Sequence, residues 1–180
     1  MYETEKQAFH FAKLALFNVR LLWDIEQARS REDVIHRLVS DRIREDSIGE
    51  PVSLLHQATF LQFAYISLVW LWERGEKAEV QHEVVKHLSG LFNFDKAVKL
   101  YGPRPLNGPR DILRLLRNAI SHGHVVATES AFIFRDIGRG EDEFSAVRLS
   151  WVDLGDLSEC MLAAWNRVLW PELNGPADVH

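Results

Sequence analysis

Cysteine is nearly absent from this chain: 180 residues contain one, Cys160. No internal disulfide can form and no thiolate-rich zinc site can assemble, so a reducing cytoplasm is the simplest compartment. Long hydrophobic runs are missing as well. The most apolar stretch, ATFLQFAYISLVWLW at residues 58–72, falls short of the roughly 20 residues that a membrane span needs, and Gln62 interrupts it. It reads as a helix buried nearly all round, in the core or at a subunit interface. Blocks of Lys or Arg are lacking, and the net charge is −5. A passive nucleic-acid coat carries a basic footprint, so any contact with nucleic acid here is local and falls where the arginines gather. There is no glycine-rich phosphate loop, no Gly-x-Ser-x-Gly elbow, no repeat and no low-complexity tract. The N-terminus, MYETEKQAFHFAK, has no signal-peptide pattern.

What is present suits one folded domain over residues 1–180, with 47% hydrophobic and 26% charged residues. Residues 3–28 predict a long helix, with Phe9, Ala12, Leu16, Val19, Trp23 and Ala28 at helical spacing. Ser30 is the expected N-cap of a second helix over about 31–46, with a narrow stripe of Val34, Ile35, Leu38 and Ile43. Gly49–Glu50–Pro51 breaks the chain. Ser53 then caps the apolar helix, Gly75 ends it, and another helix runs over about 76–92. A loop with Gly102, Pro103, Pro105, Gly108 and Pro109 precedes a helix over about 108–122, which Gly123 is placed to terminate. Beyond it, VVATESAFIFRD and EFSAVRLSW are rich in β-branched and aromatic residues, and IGRGED joins them as a hairpin turn. Asp153 is the expected N-cap of a last helix that Pro171 stops. The class is therefore mainly α, a helical bundle with a small β-hairpin before the last helix.

The helix at 108–122 carries the chemistry. At about 100° per residue, Leu113, Leu116, Ala119 and Ile120 share one side, with Ile112 and Leu115 at its edges. Arg114, Arg117, Asn118, Ser121 and His122 occupy the opposite arc. Arg117 and Ser121 are four apart, as are Arg114 and Asn118, and Asn118 and His122, so each pair is adjacent on the helix surface. A polar arc of this kind is also what an ordinary surface helix shows, with cations favoured near its C-terminus. The order of residues adds to that. Arg117–Asn118–Ala119–Ile120–Ser121–His122 has the R-N-x-x-x-H pattern, and it resembles the motif of the HEPN family (higher eukaryotes and prokaryotes nucleotide-binding domains).

The resemblance is sharp over about 110–170, where the motif is followed by Gly, a β-hairpin and a closing helix. Over 1–100 it rests on helix content and length. It implies a HEPN-like helical bundle and, in toxin- and defence-type members, metal-independent RNA cleavage. His122 then serves as the proton-transfer group, Arg117 as fixed positive charge for the phosphate, and Asn118 as an orienting or donating amide. Arg114 and Ser121 would bind substrate, Ser121 with a local backbone bond of its own. The resemblance further implies a homodimer whose two motifs face one cleft, since one histidine cannot readily be both acid and base, and an antitoxin protein as a partner. No cofactor, metal or membrane is implied. Some HEPN toxins carry a tyrosine two residues after the motif histidine, which a partner nucleotidyltransferase modifies; here that position is His124.

Two other readings remain open at this point: a HEPN-fold module that binds RNA, a nucleotide or a protein without cutting, and an unrelated helical interaction protein. A His122–His124 metal pair lacks cysteine and carboxylate company. His82 and His87 read as solvated, Cys160 as a packed thiol, and tryptophans 23, 70, 72, 151, 165 and 170 as core or interface residues.

Overall fold

The computed structural model describes residues 3–46, 53–75, 78–137 and 144–173; the Gly49–Glu50–Pro51 break and most of the IGRGED turn lie outside them. The chain is mainly helical, and the β-rich tract forms more than a hairpin. Helices α1 (Glu3–Arg29), α2 (Asp33–Glu45), α3 (Gln57–Ala64), α4 (Leu71–Arg74), α5 (Ala78–Leu91) and α6 (Phe94–Ala97) precede strand β1 (Lys99–Tyr101). Helix α7 (Pro109–Ser121), strands β2 (Val125–Ala127), β3 (Ala131–Ile137) and β4 (Phe144–Ser150), and helix α8 (Trp151–Leu169) follow. The four strands make one antiparallel sheet in the order β1-β4-β3-β2. Strand β1, within what reads as a loop region in the sequence, reaches the sheet by pairing with β4.

The 58–72 stretch is helical throughout, but the turn Tyr65–Trp70 is wound as a π-helix between α3 and α4. An extra residue per turn rotates the side chains that follow. Leu68, Val69, Leu71 and Trp72 are buried, while Gln62 and Tyr65 stay exposed, so the segment is covered on most sides and not all. Ser67 is buried within it and its hydroxyl donates to Phe63 O at 2.9 Å, which keeps the polar group satisfied. Helix α5 packs along α8, and Trp165 of α8 sits where a Cβ on Gly75 would fall, 2.4 Å from the ring. Gly75 thus ends α4 at a point where only glycine fits against Trp165.

Three of the expected helix caps are displaced. Glu32 occupies the N-cap of α2, and the Ser30 hydroxyl donates back to Gln27 O. His56 caps α3, its ring nitrogen accepting from Ala58 N–H, while the Ser53 hydroxyl accepts from Leu55 N–H. Ser150 caps α8 by accepting from Asp153 N–H at 3.0 Å, and its own hydroxyl donates to the Asp153 carboxylate at 2.5 Å. Asp153 is therefore inside the first turn. At Ser150 and Asp153 the residue in extended conformation takes the cap and the other supports it.

The buried faces of α1 and α2 also differ from the expected stripes. In α1 the buried residues are Ala8, Phe9 and Ala12, and Trp23 is exposed. In α2 they are Val39 and Ile43, whereas Val34 and Leu38 face outward. The core lies instead among α7, α8, α5, the π-turn and the inner face of the sheet, with Phe132, Phe134, Val147, Leu149, Leu116 and Trp165 at its centre. That arrangement leaves α7 backed by a rigid core along its whole apolar side.

Candidate functional site at the end of helix α7

Helix α7 starts where the sequence supplies its stops and starts together. Gly108 holds φ 88° at the N-cap and Pro109 takes the first helical position. Asp111 accepts from Asn107 N–H at 3.0 Å, so the first turn is closed from outside. Ile112, Leu113, Leu115, Leu116 and Ala119 are buried and Ile120 is half-buried, which matches the expected apolar face. Arg114, Ser121 and His122 are exposed, and Arg117 and Asn118 half-buried, so all five site residues predicted from sequence lie on the arc away from the core.

The termination is specific. Gly123 has φ 72°, and the chain reverses there. His124 N–H donates to Ala119 O at 2.8 Å and Gly123 N–H to Ile120 O at 3.4 Å. This 6→1 and 5→2 pair is a Schellman closure, with His122 as the C-cap and His124 as the second residue beyond it. The His124 carbonyl then accepts from Arg135 N–H of β3 at 3.0 Å. Backbone bonds to α7 and to β3 therefore fix His124 on both sides. The outcome is two exposed imidazoles side by side, His122 and His124, with ring centroids 6.1 Å apart and planes inclined at 40°.

Arg117 donates to the Asn118 amide oxygen at 3.0 Å. Asn118 is thus tied to the arginine and its side chain makes no bond to the His122 ring; the amide NH2 remains as a donor. The Ser121 hydroxyl has no hydrogen-bond partner among the described residues, so the expected local backbone bond is not formed. Neither Arg114 nor Arg117 has a carboxylate within ion-pair distance among the described residues.

More cations adjoin on the open face of the sheet. Phe132, Phe134 and Val147 point to the core, so the alternate residues Ile133, Arg135 and Arg148 point outward. Lys99 stands opposite Arg148 and Tyr101 opposite Ala146, and one register step beyond the Val125–Phe134 pair Arg135 stands beside His124. Lys99, Arg135 and Arg148 are in no ion pair among the described residues. Sequence reasoning passed over these three, Lys99 because β1 reads as loop. It met His124 only as a metal-pair candidate and as the position of the family's tyrosine. The left-handed termination expected at Gly123 is observed at φ 72°. By contrast Arg104 is structural: it bonds Asp136 at 2.5 Å and the buried Ser145 at 3.1 Å on the inner side.

Other groups stand apart from this surface. The Cys160 thiol is half-buried, donates to Leu91 O at 3.7 Å, and is pushed above its ordinary pKa by burial and then by Asp156 and Glu159. A thiol so held is poorly nucleophilic. Among the described residues, no group of three or more His, Cys, Asp or Glu is placed to hold a metal ion, and no helix is long and apolar enough to cross a membrane. No protein-family model, curated protein or solved structure matches the chain.

Proposed function

We propose that the chain is a metal-independent endoribonuclease of HEPN type, acting in a toxin or defence role. The observation that carries this reading is the assembly of Arg117, Asn118 and His122 on the solvent side of the last turns of α7, beside an open surface. Cleaving RNA without metal needs proton transfer near neutrality and fixed positive charge for the crowded phosphate, which an imidazole and an arginine fork supply. Asn118 is held by Arg117 through its amide oxygen, which leaves its NH2 group free to donate to a phosphate. Arg114, one turn back, serves a neighbouring phosphate, and Ser121 offers a free hydroxyl at the rim.

Two further features support RNA as the substrate. The site is an exposed surface, which suits a polymer laid across it better than a small nucleotide enclosed within it. The outward cations Arg135, Arg148 and Lys99 extend the positive face across the sheet from β3 to β1, starting beside His124. An acidic chain can bind RNA through such a local face.

We also place a second copy of this chain against α1. Phe11 is 53% exposed, Leu14 58%, Phe17 60% and Leu21 44%, an apolar face larger than scattered surface residues would make. Phe11, Leu14, Asn18 and Leu21 follow a three-four-three spacing, which is the seam pattern of packed helices, and the exposed Asn18 at its middle is the kind of polar residue that fixes register between identical helices. This face of α1 is the dimer contact we propose.

The test is incubation of an RNA oligonucleotide with the protein in EDTA, comparing the unaltered chain with Arg117→Ala and His122→Ala. Cleavage that persists in EDTA and falls by about 10²–10⁴ in each variant is the expected result. RNA binding without cleavage would leave a non-catalytic HEPN-fold binding module in its place.

A further inference from the structure

We propose that His124 is the second member of an acid–base pair contained in a single chain, with one RNA phosphodiester held between the imidazoles of His122 and His124. The inference rests on the ribonuclease reading above and assigns its second proton-transfer group. It removes the need for a histidine from another copy.

The geometry carries it. Two nitrogens that serve opposite ends of one phosphoryl group must be separated by that group plus a hydrogen bond of about 2.8 Å on each side. Ring centroids 6.1 Å apart with planes inclined at 40° keep the two imidazoles unstacked and near enough for both to reach one phosphodiester. The backbone that carries the two rings is also fixed. The residue in the place of His124 commonly packs an apolar side chain back on the helix, here toward Ala119. This chain forgoes that contact and holds an exposed imidazole there instead, with the backbone bonded to Ala119 O at 2.8 Å and to Arg135 N–H at 3.0 Å. Arg117 precedes His122 by five residues on the same polar arc of α7, and Arg135 of β3 stands beside His124, which suits an anionic group seated near them.

The step balances without a metal, an oxidant or water. The neutral imidazole of the pair takes the proton of the ribose 2′-hydroxyl as O2′ attacks phosphorus. The O2′–P bond forms while the P–O5′ bond breaks. The protonated imidazole delivers its proton to the departing O5′. The products are a 2′,3′-cyclic phosphate and a 5′-hydroxyl, and the two histidines have exchanged protonation states. Arg117 donates to the non-bridging oxygens as charge builds on them.

The experiment uses the full chain in EDTA on two versions of one oligonucleotide, one with an ordinary linkage and one whose 5′-bridging oxygen is replaced by sulfur at the cleaved site. A thiolate leaves without a proton, so the sulfur substrate needs only the base. His124→Ala is expected to lose about 10²–10⁴ of the rate on the ordinary linkage with its melting temperature held. Exactly one of His122→Ala and His124→Ala should recover on the sulfur substrate, and that variant lacks the acid. If His124→Ala folds poorly, His124→Gln replaces it. Full activity of the His124 variants with His122→Ala inactive would overturn this inference and leave the ribonuclease reading standing. Recovery of both variants or of neither would overturn the division of roles. An unaltered chain that cleaves nothing, or only with added metal, would overturn both.

Discussion

Lys99 and Arg148 stand directly opposite each other across the β1–β4 pair, two cations on the open face of the sheet with no carboxylate within ion-pair distance among the described residues. Like charges in that relation cost a sheet roughly 0.2–1 kcal/mol. A free protein gains nothing from them, whereas a bound polyanion does. Lys99→Glu is therefore expected to act in opposite directions on stability and on binding. Its new pairing with Arg148 should raise the melting temperature slightly, and its negative charge should weaken RNA binding. Thermal melts and fluorescence anisotropy with labelled RNA, both in a His122→Ala background that cannot cut, check the two signs. Unchanged RNA affinity would remove this face from the binding surface.

Gly123 carries both imidazoles. A side chain added there would meet nothing within 4 Å, so the only cost of Gly123→Ala is the backbone at φ 72°. That cost is about 1–2 kcal/mol, or a fall of roughly 2–8 °C in melting temperature for a chain of this size. Gly123→Asn should cost less, since Asn tolerates the left-handed region better than Ala. Cleavage should fall further than stability in the alanine variant, because the reversal at Gly123 sets the spacing of His122 and His124. Melting curves and initial rates on the same preparations separate the two effects.

The sequence shows α7 well because three independent signals agree there: Gly108–Pro109 at the start, an unbroken apolar stripe, and Gly123 at the end. The β-rich character of 125–151 is equally plain, and two of its strands follow. Strand β1 is illegible, since Lys99–Leu100–Tyr101 is three residues long and exists only because β4 offers it an edge. Helix α1 is legible as a helix but not as to orientation. It is apolar on more than one side, so spacing alone cannot say that Ala8, Phe9 and Ala12 turn inward while Trp23 turns out. In the site, Arg117, Asn118 and His122 follow from helical geometry. His124 does not: the left-handed turn at Gly123 is legible, but the bond from Arg135 N–H that holds His124 against β3 is not encoded in sequence spacing.

Arg104 ties the segment after β1 to the rest of the sheet. Its guanidinium donates to Asp136 and to Ser145, and the Ser145 hydroxyl donates back to Arg104 O at 2.8 Å. Arg104→Ala would leave Asp136 without its cation and the buried Ser145 with fewer partners, a loss of roughly 1–3 kcal/mol. Arg104 lies on the inner side of the sheet, opposite the outward cations, so RNA affinity at a temperature where the variant is folded should be little changed. A chemical-denaturation midpoint that shifts while anisotropy does not is the expected pattern.

The last prediction separates the two roles a second copy could have. If the partner is needed only for stability, breaking the α1 contact should leave each chain able to cut; if it supplies the missing imidazole, activity must vanish with the dimer. Leu14→Glu puts a charge in the centre of the apolar face of α1, at a side chain already 58% exposed in the single chain. The fold should bear this within about 0.5 kcal/mol, as exposed substitutions do. Its effect on association should be large, since a buried unpaired carboxylate at an interface is costly. Sedimentation at micromolar concentration should show a dimer for the unaltered chain and a monomer for Leu14→Glu. The melting temperature of the unaltered chain should rise with protein concentration and that of the variant should not. With His122 and His124 both in one chain, the rate per chain should survive monomerisation. A monomeric Leu14→Glu that is folded and inactive would instead place the second proton-transfer group on the partner copy.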